Sequence, residues 1–153
     1  MKAVTSPVKR ILAATDRSET ADRAVAWASE MADRYGAELV IFQVVVPPDS
    51  PTETVGTDRE LAELGALAER LAGPRGRGRV AVDTDPSRAI CAAADEEKAD
   101  VVVVGGVGMS GRKEFLLGNV PNRVSHNAGC TVVIVNTMRP EKRRVGRLLG
   151  RNR

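Results

Sequence analysis

Three glycines and one asparagine form the pattern in this chain that is best suited to chemistry. Gly105, Gly108 and Gly118 stand at G-x-x-G-(nine residues)-G, and Asn119 follows directly. The pattern opens at the end of a bare run of four valines, Val101–Val104. A buried strand that feeds a glycine-rich loop and then a helix start can cradle phosphate. Glycine lets the backbone approach a ligand closely, and helix-start amides point at negative charge. A second candidate is Asp16, which with Ala14 and Thr15 closes the short apolar run RILAA, Arg10–Ala14. A carboxylate there could either cap the next helix or accept hydrogen bonds from a ligand.

Other sites are poorly supported. Gly106-Val107-Gly108-Met109-Ser110-Gly111 matches G-x-G-x-x-G, but a dinucleotide fold needs an acidic residue about twenty positions on, at the next strand end. The region Cys130–Val135 has none, and only one strand follows. A P-loop is excluded because G-K-[ST] occurs nowhere. The one histidine, His126, and the separated cysteines Cys91 and Cys130 do not form a metal set or a Ser-His-Asp or Cys-His pair. The two thiols are expected to be reduced and mostly buried. Arg112, Lys113 and Arg123 flank the glycine loop and either add positive charge to it or form a solvated rim.

Regular alternation supplies the scaffold. Arg10–Ala14 reads as a first strand. Ser18 or Asp16 can cap a helix in which Ala21, Ala24, Val25, Ala28, Met31, Ala32 and Tyr35 recur at three- and four-residue steps, with Gly36 as its stop. Glu38–Val46 is a second strand, apolar almost throughout. A proline-rich loop, Pro47–Thr57, leads to a helix over Asp58–Ala72. Gly73–Gly78 breaks the chain, and Arg79–Val82 is a short third strand. Asp85 and Pro86 form an N-cap and N1 pair for a helix through Lys98. Asp100–Val104, a helix over Val120–Asn127 and a final strand Thr131–Asn136 complete the chain. This β-α alternation predicts one doubly wound parallel sheet with helices on both faces. Ligands on such sheets lie beyond the carboxyl ends of the strands. The Asp16 and Gly105 loops are both at carboxyl ends, so they can meet at one site.

Composition fits this scaffold. The chain has 153 residues, is 42% hydrophobic and only 3% aromatic, so the core must come from Val, Leu, Ile and Ala. No apolar run approaches the roughly 18–20 residues that span a bilayer, and MKAVTSPVKRILAATD lacks a signal-peptide core. A cytoplasmic location is therefore expected. The tail Met138–Arg153 carries seven basic residues against Glu141, a net charge of +6 that leaves −3 for the body. The expected organisation is one domain over residues 1–137 and a basic tail over residues 138–153. The tail is either a solubilising end or a contact for nucleic acid or an anionic surface. It has no interleaved aromatic residues.

The longer pattern resembles the nucleotide-binding signature of the universal stress protein family, which is a glycine, two residues, a glycine, nine residues, a glycine, then Ser or Thr. KRILAATDRSETADRAVAWA is similar to that family's opening strand, Asp-containing loop and first helix. ADEEKADVVVVGGVGMSGRKEFLLGNVPNRVSHNAGCTVVIVN is similar to its closing third. The resemblance covers roughly residues 8–137. It implies a Rossmann-like five-stranded sheet in the order 3-2-1-4-5 that binds an adenine nucleotide: ATP, with Mg2+ as its counterion, or AMP or cyclic AMP. Position by position, it implies that Asp16, with Ala14 and Thr15, approaches the adenosine portion. Val44 would offer backbone groups to the adenine edge. Gly105, Gly108 and Met109 would pass close to ribose and phosphates, and Gly118, Asn119 and Val120 would hold phosphate at the helix start. Asn119 stands where ATP-binding members have Ser or Thr; it too is a good N-cap, and its amide can donate to phosphate. The resemblance further implies a homodimer through Thr131–Asn136 and a regulatory role in stress adaptation without fast chemistry. Two alternatives stay open: an adaptor that does not bind nucleotide and works through its dimer surface or tail, and an enzyme that slowly hydrolyses ATP or transfers its phosphate.

Overall fold

A computed structural model describes residues 7–49, 55–106 and 119–137. Gly108, Met109, Gly118, Arg112, Lys113 and the basic tail lie outside the described residues. The elements follow in the order β1 (Arg10–Ala14), α1 (Ala21–Tyr35), β2 (Glu38–Val45), α2 (Asp58–Ala72), β3 (Gly76–Val82), α3 (Pro86–Glu97), β4 (Val101–Gly105), α4 (Val120–Asn127) and β5 (Thr131–Val135). A single 3-10 turn, Gly73–Arg75, joins α2 to β3. The strands form one parallel sheet in the order β3-β2-β1-β4-β5, as the alternation and the resemblance predict.

Strand alternation divides the core into two layers. Ile11, Ala13, Leu39, Ile41, Val101 and Val103 face one side, where α1 and α2 bring Ala24, Val25, Ala28, Leu64 and Ala68. Leu12, Val40, Phe42, Val102 and Val104 face the other, under Ile90, Ala93 and Ala94 of α3 and Val124 of α4. Both faces of the central strands are covered, which is why they read as unbroken apolar runs. The alanine-rich helix faces let the helices lie close to a sheet that has few aromatic side chains. No described helix is long and apolar enough to cross a membrane.

Local chemistry sets the helix ends. The Ser18 hydroxyl accepts a hydrogen bond from the Ala21 N–H at 3.2 Å, and Asp16 Oδ1 accepts from the Ser18 N–H at 2.9 Å. The two residues expected to compete for one cap thus act in relay. Gly36 ends α1 in the left-handed region at φ 63°. Arg75 donates to the carbonyls of Ala32 and Ala37 and pairs with Asp33, which pins the 3-10 turn to the end of α1. Asp85 caps α3 by accepting from the Arg88 N–H, with Pro86 in the first turn.

The main departure from the sequence reading is β3. It begins at Gly76, not Arg79, so two glycines taken as a chain break lie inside the strand. They are there because α2 passes very close to the sheet. A Cβ at Gly76 would overlap the Ala68 carbonyl, and one at Gly78 would sit 2.7 Å from the Gly65 nitrogen. Smaller differences occur at other ends. β2 stops at Val45 and β5 at Val135, β4 runs from Val101 to Gly105, and α3 ends at Glu97 with Lys98 left-handed at its cap.

Glu97 ties the end of α3 to this edge strand. Its carboxylate accepts from Arg77 Nη1 at 3.0 Å and from Arg79 Nη1 at 2.9 Å. The hydrogen bonds from Arg77, followed by those from Arg79, hold the Glu97 carboxyl down to about 2. A carboxyl whose folded value is depressed contributes stability above its unfolded value of 4.5 and loses it as pH falls through about 2. Glu97→Gln is therefore expected to cost about 1–2 kcal/mol at neutral pH, after screening of the part-exposed arginines. Urea unfolding of both proteins checks this. The gap between them should narrow steadily below about pH 4. A gap that is the same in acid as at neutral pH would contradict the assignment.

Candidate functional site

The carboxyl ends of β2, β1 and β4 form a notch. β1 is the central strand and also the shortest at this end. Its pairing with β2 stops at Ala14 opposite Phe42, while β2 runs on to Val45. Its pairing with β4 stops at Ala13 opposite Val103, while β4 runs on to Gly105. The helices reached from the β1 side and from the β4 side also pack on opposite faces, so the notch lies at the switch point of the sheet.

The floor is Ala14, Thr15 and Asp16. Thr15 is buried; its N–H donates to the Phe42 carbonyl at 2.9 Å, and its Oγ1 accepts from the Arg17 N–H at 2.9 Å. Asp16 is half-buried. Its Oδ1 is committed to Ser18, and no described residue bonds its second oxygen. One wall is Val44. Because Phe42 turns its carbonyl toward β1, the two-residue alternation turns the Val44 N–H and carbonyl the same way, and there β1 has already ended. That wall therefore offers one donor and one acceptor to the notch. The other wall is Gly105, which lies opposite Val135. The adjoining Gly106 N–H donates to the Val135 carbonyl at 2.8 Å. A Cβ on Gly105 would lie 3.1 Å from Cγ2 of the buried Thr137, so the strand end is packed tightly from behind.

α4 begins at the same end of the sheet. Asn119 occupies its N-cap position, but its side chain makes no cap bond; Oδ1 instead accepts from Asn122 Nδ2 at 3.4 Å. Val120 is buried beneath the first turn. Arg123 pairs with Asp85 Oδ2 at 3.1 Å, so its charge is already balanced. The Ser87 hydroxyl, with the Arg88 N–H, holds the Asp85 carboxyl below the usual carboxylate range.

Of the residues picked out from the sequence, the structure therefore brings Ala14, Thr15, Asp16, Val44 and Gly105 around one notch. It places Asn119 and Val120 at the start of the neighbouring helix. Gly108, Met109 and Gly118 are not described. His126 is exposed in the last turn of α4. Cys91 and Cys130 are half-buried against the α3–α4 layer, where burial pushes both thiols up. No group of three metal-ligating side chains occurs among the described residues. Arg17, beside Asp16, carries no sequence signal that would have singled it out.

The profile of the universal stress protein family matches residues 7–136. The chain belongs to the universal stress protein family. It is 34% identical over 145 residues to the universal stress protein Rv1636 of Mycobacterium tuberculosis, covering 86% of this chain and 99% of that one. It is also 34% identical over 134 residues to a universal stress protein of Thermus aquaticus, covering 83% of this chain and 98% of that one. Among solved structures, a universal stress protein in complex with cAMP shares 32% identity at a TM-score of 0.67, covering 86% of this chain and 99% of that one. A universal stress protein of Archaeoglobus fulgidus in complex with dAMP has the same fold at a TM-score of 0.57 and 22% identity, covering 86% of this chain and all of that one.

Proposed function

We propose that this universal stress protein binds an adenine nucleotide in the notch above β1 and acts as a regulatory binder rather than an enzyme. The observation that carries the reading is the open Val44 edge. A backbone N–H and carbonyl on the side where β1 has ended suit the donor–acceptor edge of adenine. Asp16 supplies an uncommitted carboxylate oxygen for a ribose hydroxyl. Gly105 and the start of α4, with Gly108, Met109, Gly118, Asn119 and Val120, serve the phosphate end. The related protein in complex with cAMP, which shares 32% identity, supports this ligand class. AMP and ATP fit the same donors, and Mg2+ would arrive with ATP. His126 is exposed in the last turn of α4, and the Asp16 carboxylate serves the ribose rather than the phosphate end, which favours binding over turnover.

The same reading makes β5 a dimer edge. β5 pairs only with β4 among the described strands, and Ile134 is 45% exposed on it. An apolar edge strand needs a cover, and a second copy pairing through Thr131–Asn136 supplies one. Sedimentation velocity of the protein with cyclic AMP, AMP or ATP, followed in the nucleotide's absorbance band, tests both parts. The expected species has twice the 16.3 kDa chain mass and carries nucleotide along. Protein sedimenting without any of the three nucleotides would instead favour an adaptor that works through its surface or basic tail. A species of single-chain mass would remove the dimer.

A further inference from the structure

Arg17 stands out at the mouth of the notch for three independent reasons. Its backbone is left-handed, at φ 65°, where side chains are disfavoured. Lys98, the other non-glycine residue of this kind among the described residues, terminates α3 and so has an ordinary structural reason. Arg17 ends no helix. Its conformation is imposed by its neighbours: Thr15 Oγ1 takes the Arg17 N–H, and Asp16 Oδ1 takes the following N–H of Ser18. Strain of this sort clusters where a loop is shaped for function.

The second reason is that its charge is not spent. Arg10, Arg75, Arg77, Arg79, Arg88 and Arg123 all donate to carboxylates or carbonyls. Arg23, in the first turn of α1, also has a partner. The Arg17 side chain is exposed and makes no such bond among the described residues.

The third reason is charge balance. Ala14, Thr15, Asp16, Val44, Gly105, Asn119 and Val120 carry one formal charge between them, the negative charge of Asp16. A phosphate entering this mouth meets repulsion unless a cation stands beside the carboxylate. Arg123 is committed to Asp85. Arg17 is the described cation next to Asp16 with nothing else to neutralise.

We propose that Arg17 is a specificity-determining residue: its guanidinium engages the phosphate of the bound nucleotide and makes the notch prefer phosphorylated adenine ligands over adenosine. This rests on the notch being the adenine-nucleotide site. A guanidinium fork matches phosphate oxygens, and charge-assisted hydrogen bonds are the strong ones.

The test is calorimetric titration of adenosine and of AMP into the full chain, as wild type, Arg17→Gly and Arg17→Lys. Arg17→Gly relieves the left-handed strain, so its melting temperature without ligand should equal or exceed that of wild type. It should weaken AMP about tenfold and adenosine less than about twofold. Added salt should weaken AMP in wild type and do so less in Arg17→Gly. Arg17→Lys should keep part of the AMP preference. An AMP-to-adenosine ratio unchanged by Arg17→Gly would overturn the inference while leaving the nucleotide site standing. Equal weakening of both ligands would overturn it too, because that marks a loop that only shapes the pocket. Failure of wild type to bind either ligand would overturn both this inference and the site beneath it.

Discussion

Gly78→Val is expected to destabilise the protein by at least about 3 kcal/mol, beyond the usual range for overpacking. In an ordinary strand the sign would be reversed, since an added side chain lowers the entropy cost of ordering glycine. Here a Cβ at Gly78 would sit 2.7 Å from the Gly65 nitrogen and 2.8 Å from Leu64 Cβ. One of these is helix backbone and the other is the root of a fully buried side chain, so neither can swing aside. The strand must leave α2, and with it go the ion pairs of Arg77 and Arg79 to Glu97. Gly65 gives the internal contrast. A Cβ there meets nothing within 4 Å, so Gly65→Ala should stabilise the protein by about 0.8–1 kcal/mol through helix propensity alone. Urea unfolding midpoints of the two variants should therefore move in opposite directions. A neutral Gly78→Val would mean that α2 does not lie on β3 as described.

These glycines also show where sequence reading succeeded and where it could not. The sequence predicts α2 over Asp58–Ala72 and α4 over Val120–Asn127, and both are found at those bounds. Periodicity and breakers act locally, so they are visible residue by residue. The start of β3 at Gly76 is not legible in the sequence, because a glycine that ends a strand and a glycine that admits a helix look alike there. Only the packing of Ala68 and Gly65 against Gly76 and Gly78 tells them apart. The site divides the same way. The sequence predicts that Asp16 and Gly105 meet because both stand at the carboxyl ends of strands, and the sheet order puts β1 beside β4. The left-handed turn at Arg17 and the pairing of Arg123 with Asp85 depend on φ angles and on contacts across 38 residues, which no local pattern encodes.

The carboxyl-end notch of β1 also explains how a protein with so few aromatic residues could hold a purine. In the proposed reading, recognition would fall on backbone groups freed by a short central strand, not on stacking side chains. Val44 is half-buried against the α3–α4 layer, so its backbone is held firmly while its inner edge stays open. Asp16 stands on a loop fixed at both ends, by Thr15 on Phe42 and by Ser18 on Ala21. A site preorganised in this way loses little entropy on binding, which favours affinity.

Thermal unfolding with saturating cyclic AMP, for wild type and for Asp16→Asn, tests that claim most directly. Ligand at about 100 times its Kd adds about 2.7 kcal/mol, a rise of roughly 5–10 °C in a domain of this size. Asn keeps an acceptor for the Ser18 N–H, so the variant without ligand should melt within about 2 °C of wild type. It replaces the second acceptor oxygen, the one left for a ribose hydroxyl, with an N–H donor, so most of the nucleotide-induced rise should disappear. A rise in wild type that is lost in Asp16→Asn would establish the notch as the nucleotide site. No rise with cyclic AMP, AMP, ADP or ATP at millimolar concentration, or a rise that Asp16→Asn leaves intact, would contradict it.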